Sequence, residues 1–191
     1  MRLSLFGFGA VETLIIANFV MFILTLTSPE WFFQNFAMSP GSFMGEPWTL
    51  ITSIFMHADV SHILFNMIAL FFLGAYLEGL VGENRFLKIY FVGGIAGSVL
   101  FLLIANRNEV VVGASGAIFA VAATMAILRP NIKMFVFPIP FPIPLYIAVF
   151  GVMVILSFQP GTAWQGHIGG LLAGVYFGLK LRNSIGGRAG Y

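Results

Sequence analysis

The sequence predicts an all-α membrane protein, folded as a compact bundle of six transmembrane helices. Of its 191 residues, 59% are hydrophobic and only 8% are charged. Soluble domains carry about 25% charged residues, so this composition excludes both a soluble globular fold and a disordered chain. The absence of cysteine excludes disulfides, thiolate metal sites and a cysteine nucleophile. The net charge of +2 is too small to indicate nucleic-acid binding.

Six apolar runs separated by polar breaks are the predicted membrane spans, numbered one to six here. They are Ala10–Thr27, Ser61–Leu77, Phe86–Ala105, Gly113–Leu128, a run that follows the proline-rich entry 138–144 and continues to about Phe158, and Gly166–Leu179. The first run has no small-residue cleavage site before Pro29, which favours a retained helix over a signal peptide. Because the spans use most of the chain, we expect residues 1–191 to form a single domain.

The positions of the few basic residues predict the orientation in the membrane. Placing both termini in the cytoplasm puts eight of the nine Lys and Arg residues inside, with only Arg107 outside. The eight are Arg2, Arg85, Lys88, Arg129, Lys133, Lys180, Arg182 and Arg188. Spans two, four and six then all begin at the outer face.

Unusual polar residues stand at those three outer ends. His57, His62 and Asn66 precede or open span two, Ser115 opens span four, and His167 opens span six. At about 1.5 Å per residue, His62, Asn66, Ser115 and His167 all fall about 8–13 Å below the outer edge of a hydrocarbon core about 30 Å thick. Polar side chains at such depth are costly, and they mark functional sites.

The residue types in this layer suit acyl-transfer chemistry. Serine needs an adjacent base to act as a nucleophile, and histidine titrates in the right range to be that base. His62 and Asn66 share a helix face and can donate to an oxyanion, as can the unpaired Ser115 amide at a helix N-terminus. Taken singly, each residue also has a structural interpretation: Ser115 bonded to its own backbone, His at an interface, and Asn66 as interhelical glue.

A glycine strip on span six predicts how the site is assembled. Gly166, Gly170, Gly174 and Gly178 recur every four residues, and His167 lies on the same side of the helix. Span four offers small residues in return, among them Ala117, Ala120, Ala123 and Ala126. We therefore expect spans four and six to pack closely and to bring Ser115 to His167.

With these motifs in order, the sequence resembles the rhomboid family of intramembrane serine proteases, in its minimal six-helix prokaryotic form. The resemblance runs from about Trp48 to Gly178. It rests on His57, His62 and Asn66 in span two, on Gly113-Ala-Ser115-Gly116, and on His167 followed by Gly. Gly74, Glu78 and Gly82 match a pattern that the family uses structurally at the inner end of span two. Trp48-Thr49 departs from the family, where an arginine commonly follows the aromatic residue and braces the first loop.

The resemblance implies a Ser–His dyad with Ser115 as nucleophile and His167 as general base. It implies an oxyanion hole formed by His62, Asn66 and the Ser115 backbone N–H. Gly113, Gly116, Phe119 and His57 would support the site, with Phe119 packing on the catalytic histidine. The substrates would be single-span membrane proteins in the lipid bilayer, cleaved without cofactor or metal. The expected location is the plasma membrane of a prokaryote.

Three other interpretations remain open at this point. A non-catalytic member of the same family would lack Ser115 or His167, and this chain has both. A transporter would need polar residues through the whole membrane depth, whereas the inner halves of spans two, four and six are apolar. A metal site on His57, Asp59 and His62 would need ligands on one face, and a spacing of five residues is poor for that.

The aromatic loop from Ser28 to Pro47 is expected to lie partly in the membrane interface.

Overall fold

A computed structural model of the chain describes residues 9–136, 139–159 and 161–186. Arg2, Arg188 and Pro138, which entered the predictions of topology and of span five, lie outside the described residues. The α-helices in chain order are α1 (Ala10–Thr27), α2 (Pro29–Phe36), α3 (Thr49–Thr52), α4 (Val60–Ala69), α5 (Ala75–Val81), α6 (Glu83–Ile104), α7 (Ser115–Leu128), α8 (Leu145–Ile147), α9 (Val154–Ser157) and α10 (Trp164–Gly186).

Shorter segments join some of these helices. A 3₁₀ turn at Ser53–Phe55 follows α3, a π-helical segment at Leu70–Gly74 joins α4 to α5, and a second one at Ala148–Met153 joins α8 to α9. Two short strands, β1 (Lys133–Met134) and β2 (Ile143–Pro144), pair antiparallel with Lys133 opposite Pro144.

Three helices in the described part of the chain are long and apolar enough to cross a membrane. They are Ala10–Thr27, Val60–Val81 and Glu83–Ile104, the second combining α4, the π-helical segment and α5. Large apolar side chains on these helices are exposed, including Ile23, Phe65, Phe72 and Leu103. Soluble proteins rarely expose apolar surface this extensively, so the fold is that of an all-α integral membrane protein.

The first span ends where the sequence predicts. Helix α1 covers Ala10–Thr27, the residues of the first apolar run, and Pro29 then opens α2 at its first turn. Proline suits that position because its missing N–H is not needed there and its φ is already helical. The turn between the two helices places α2, with Trp31, Phe32 and Phe36 in mutual ring contact, at the C-terminal end of the first span.

Near the C-terminal end of span two, Glu78 connects two helices. Its carboxylate accepts hydrogen bonds from the backbone N–H groups of Ala10 (3.2 Å) and Val11 (3.1 Å). These amides open α1, whose N-cap position is Gly9 and has no side chain to cap them. Glu78 therefore acts as the cap of a helix that lies 67 residues earlier in the chain, which gives a structural account of the Gly74–Glu78–Gly82 pattern.

Helix α7 occupies the centre of the bundle. Every residue from Ala117 to Leu128 except Ile127 is buried, because α10 and α6 pack along it and the π-helical segments of spans two and five contact it as well. A helix that is apolar on all sides is buried on all sides. At 14 residues it is short for a span, and its first residue, Ser115, thus begins within the bundle.

Span five begins where its proline-rich entry ends. Its helix starts at Leu145, directly after Pro144, and the last two residues of the entry, Ile143–Pro144, pair with Lys133–Met134 as β2 and β1. Proline lacks a backbone donor and disfavours the helical conformation in the residue before it, so the repeated prolines delay the helix. The helix is then π-helical over Ala148–Met153 and ends at Ser157.

Candidate active site

The segment that precedes Ser115 is held by the first part of the chain. Met38 and Val111 form an antiparallel bridge, with hydrogen bonds of 3.1 and 2.8 Å between their backbones. The Gly113 N–H donates to the Ser53 carbonyl at 2.9 Å. Ser115 then opens α7, so its backbone N–H has no acceptor within the helix. These backbone contacts carry no side-chain signature, and the sequence could not reveal them.

Gly113 is the point where the chain turns into α7. Its φ of +123° is a conformation that residues with a side chain rarely adopt. A Cβ atom there would also lie 2.8 Å from the Nε2 atom of His62. Glycine is therefore required both by the backbone and by the closeness of the His62 ring. Gly116, one turn later, faces the Gly166 carbonyl, which a Cβ atom would approach to 3.1 Å.

Ser115 and His167 meet across the bundle. The Oγ atom of Ser115 lies 2.9 Å from Nε2 of His167. The Phe119 ring stacks on the His167 ring with 4.4 Å between centroids and 9° between planes. The structure thus brings together the two residues that the sequence pairs, and it sets Phe119 against the imidazole as the family resemblance implies.

Close contact between α7 and α10 produces this meeting. A Cβ atom at Gly170 would lie 1.9 Å from the Gly116 carbonyl oxygen, and one at Gly174 would lie 2.3 Å from the Ala120 carbonyl oxygen. The expected packing through the glycine strip is therefore confirmed. Gly166 is the exception, because nothing lies within 4 Å of its Cβ position; its own carbonyl packs against Gly116 instead.

His62 and Asn66 lie on α4 and line the same cavity as Ser115. The Asp59 carboxylate caps this helix by accepting from the His62 backbone N–H at 2.9 Å. The Nδ1 atom of His62 accepts from the Ala58 N–H at 3.4 Å, which leaves the ring proton on Nε2, the atom next to Gly113. The Asn66 amide donates one N–H to the His62 carbonyl at 2.8 Å and retains a second one.

His57 lies outside α4, in the loop before it, and is buried with 1% of its surface exposed. Its ring contacts that of His62 at 5.0 Å between centroids. Burial, and then the nearness of His62, lower the pKa of His57 to about 4, against a smaller opposite effect of the Phe55 carbonyl. His57 is therefore neutral. It packs against the His62 ring and does not line the cavity.

A cavity of about 1280 Å³ covers these groups. Its lining includes His62, Asn66, Ser115, Phe119 and His167. Residues of the first loop, the segment 109–112 and the turn 161–163 form the rest of its wall. The polar layer that the sequence places below the outer edge of the membrane therefore borders a single open space.

Ser157 is a polar neighbour of the site that the sequence did not suggest. Its Oγ atom lies 2.9 Å from Nδ1 of His167. The only available signal was a serine at the end of span five, ten residues before the histidine, which is weak by itself. Among the described residues, no group of three or more His, Cys, Asp or Glu is arranged to hold a metal ion.

The Rhomboid domain family matches residues 44–184 of the chain. The chain belongs to the rhomboid family. This match contains all the residues assembled at the cavity from α4, α7 and α10.

Curated rhomboid proteins from bacteria and from organelles are similar to it. Rhomboid protease GluP of Bacillus subtilis is 35% identical over 143 residues, which are 72% of this chain and 26% of GluP. Rhomboid-like protein 16, chloroplastic, of Arabidopsis thaliana is 32% identical over 164 residues, 74% of this chain and 51% of that protein. Rhomboid protein 1, mitochondrial, of Saccharomyces cerevisiae is 26% identical over 92% of this chain and 54% of its own length. The chain thus spans about half, or less, of these rhomboid relatives.

Proposed function

We propose that this rhomboid protein is an intramembrane serine endopeptidase that hydrolyses peptide bonds in or near transmembrane segments. The observation that carries the proposal is the 2.9 Å contact between Ser115 Oγ and His167 Nε2 at the floor of the cavity. Membership of a family with relatives named as proteases supports the same conclusion. The substrates are single-span membrane proteins in the lipid bilayer, and neither metal nor cofactor takes part.

The reaction begins when His167 Nε2 takes the proton of the Ser115 hydroxyl. The Ser115 oxygen attacks the scissile carbonyl, and the resulting oxyanion accepts hydrogen bonds from three donors. These are the Ser115 backbone N–H, the His62 Nε2–H and the second amide N–H of Asn66. Gly113, Gly116, Phe119 and His57 support them, Gly113 by leaving room for the His62 ring and Phe119 by holding His167.

His167 then returns its proton to the departing amine, and an acyl-enzyme remains on Ser115. Water from the cavity attacks the acyl carbon, again with His167 as base, and releases the second product. This sequence needs water at membrane depth, and the cavity beneath the outer loops is the route by which it arrives. No aspartate partner to His167 is required by this scheme.

We also propose six spans, with both termini in the cytoplasm, in one domain covering residues 1–191. The basic residues of the predicted inner loops support this orientation. The plasma membrane of a prokaryote is the proposed location. Because two relatives are named as chloroplastic and mitochondrial, an organellar membrane is the alternative location.

The direct test is cleavage of a membrane-spanning reporter in detergent by the wild type and by Ser115→Ala. The wild type is expected to cleave and the variant to be inactive, because Ser115 is the hydroxyl in contact with Nε2 of His167, whereas the Ser157 hydroxyl lies on the opposite ring nitrogen and donates to the Met153 carbonyl. A fluorophosphonate should label the wild type but neither Ser115→Ala nor His167→Ala. Cleavage by Ser115→Ala would refute the assignment of the nucleophile. A folded wild type that neither cleaves nor is labelled would instead be a non-catalytic family member.

Asn66→Ala tests the oxyanion hole. Loss of one donor there costs about 2.7–4 kcal/mol of activation free energy, so kcat should fall about 10²- to 10³-fold. The fold should survive, since the amide makes its bond within its own helix. Thermal unfolding followed by circular dichroism provides that control. An unchanged kcat would remove Asn66 from the mechanism.

A further inference from the structure

We propose that Ser157 is a positioning residue that fixes the tautomer and orientation of His167. The side chains of Ser115, His167 and Ser157 then form one continuous line of hydrogen bonds. The inference rests on the proposed function and extends it by a third side chain. Ser157 comes from the end of span five, and 1% of its surface is exposed. It contacts the histidine on the opposite ring nitrogen from Ser115, at 2.9 Å.

The direction of the hydrogen bonds follows from the third contact of Ser157. Its hydroxyl donates to the Met153 carbonyl at 2.8 Å. A carbonyl oxygen can only accept, so the single hydroxyl proton of Ser157 is used there. The Ser157 oxygen must then accept the Nδ1–H of His167. A proton on Nδ1 leaves Nε2 with a free lone pair, which is the form that can take the proton of Ser115.

The turn between spans five and six is built to hold Ser157 in this place. The Thr162 hydroxyl donates back to the carbonyls of Ser157 and Gln159. Gly161 adopts a positive φ of 84°, which completes the reversal of the chain. Phe158 and Trp164 stack across the turn, with 5.7 Å between ring centroids. Ser157 and His167 are therefore fixed with respect to each other by contacts outside the catalytic groups.

The consequence for the reaction concerns charge and not proton transfer to Ser157. When His167 takes the Ser115 proton, the ring becomes an imidazolium with hydrogens on both nitrogens. The Ser157 oxygen continues to accept from Nδ1–H, and this bond becomes stronger as the ring gains charge. No proton passes to Ser157, whose own hydrogen remains on the Met153 carbonyl. Ser157 thus takes the place of the carboxylate that orients histidine in a Ser-His-Asp triad.

The test compares Ser157→Ala and Ser157→Thr with the wild type and with Thr25→Val. Thr25 is a matched control, since its buried hydroxyl also donates to the carbonyl four residues earlier at 2.8 Å, but on α1 and away from the cavity. Ser157→Ala is expected to lower kcat about ten- to a hundredfold with KM changed less than about twofold. Ser157→Thr, which keeps the hydroxyl, should recover most of the rate, and Thr25→Val should stay near the wild type.

A spectroscopic readout separates this inference from the proposed function. Nitrogen-15 NMR of the imidazoles, with the His167 signals assigned by their loss in His167→Asn, reports which ring nitrogen carries the proton even without turnover. The wild type should show the Nδ1–H form, and Ser157→Ala should show a mixture of both forms. A wild-type His167 protonated on Nε2, or a kcat equal in Ser157→Ala and Thr25→Val, would overturn the inference. Neither result would affect the assignment of Ser115, which depends on Ser115→Ala.

Discussion

At each end of the helical segment Val60–Val81 a carboxylate caps a helix, but the surroundings of the two carboxylates differ. At the N-terminal end, the predicted outer end, Asp59 caps its own helix and is exposed to the surroundings. At the C-terminal end, the predicted inner end, Glu78 caps a different helix, α1, by accepting from two of its amides. The inner end is a closed junction between helices. The outer end keeps donors unused, on His62 and Asn66, and these face the cavity.

The difference shows how one helix divides support from chemistry. Polar groups whose bonds are all used within the protein fix the arrangement of helices, whereas polar groups with a free donor or acceptor can serve a reacting substrate. If this division is correct, changes beside the groups with free donors should alter turnover, and changes to groups whose bonds are used within the protein, at either end, should alter stability. The three substitutions below test it in order of the expected effect.

Gly113→Ala at the outer end should produce the largest loss. The new Cβ atom would lie 2.8 Å from the His62 ring. The alanine itself would have to adopt a φ of +123°. Both the oxyanion donor and the Ser115 backbone would shift, so we expect kcat to drop by about 10³-fold or more. Reporter cleavage measures it, and Gly79→Ala is the matched control because its Cβ position is open. Equal activity of the two variants would contradict the assigned role of Gly113.

Glu78→Gln at the inner end should lower stability and leave turnover per folded molecule unchanged. The amide keeps one acceptor oxygen for the two α1 donors and loses the charge, which should cost about 1.5–3 kcal/mol of unfolding free energy. Glu12→Gln, the same charge change in the first turn of α1, is the control. Thermal unfolding in detergent and active-site titration measure the two effects separately. Reduced kcat in the folded fraction would mean that the two ends are coupled.

Asp59→Ala should have the smallest effect, a lowering of the unfolding midpoint by a few degrees, because the lost cap is exposed. Asp59→Asn should retain most of the cap at neutral pH. Hydrogen bonds from the Ser61 hydroxyl, and then from the His62 N–H, lower the pKa of Asp59. Its stabilising contribution is therefore present at neutral pH and is lost as the pH falls through that lowered value. A midpoint that is equally acid-sensitive in Asp59→Asn would assign the pH dependence to other groups.

The sequence predicted the parts of this molecule that depend on side-chain type and periodicity. Hydropathy located α1 at its observed ends, and the glycine strip of span six predicted the α7–α10 contact that joins Ser115 to His167. Features made by the backbone were beyond it. The Met38–Val111 bridge and the Ser53–Gly113 bond join peptide groups that every residue carries. The π-helical stretch of span five was also beyond it, since hydropathy does not report the hydrogen-bond pattern within a helix.

Thr49 shows the limit of arguing from a departure. Where the family commonly has an arginine to brace the first loop, this chain has a buried threonine whose hydroxyl donates to the Glu46 carbonyl at 2.6 Å. The adjacent Trp48 donates its ring N–H to the Asn35 carbonyl at 2.8 Å. The loop is thus tied down by two side-chain-to-backbone bonds. The departure from the family pattern at Thr49 therefore corresponds to a different way of bracing the first loop, which the sequence alone does not show.

The contact between α7 and α10 runs from main chain to main chain, with glycine at 170 and 174 against the carbonyls of Gly116 and Ala120. The spacing of the two helix backbones that carry Ser115 and His167 is therefore set by peptide groups in contact, with no side-chain rotamer between them. A side-chain interface could slip or repack as the bilayer thickens or warms, and the reacting distance would change with it. The backbone contact between α7 and α10 leaves almost no room for such movement. The exposed face of α10, which includes Leu172 and Tyr176, takes no part in this contact, so its residues can change to suit a different membrane without altering the spacing of α7 and α10.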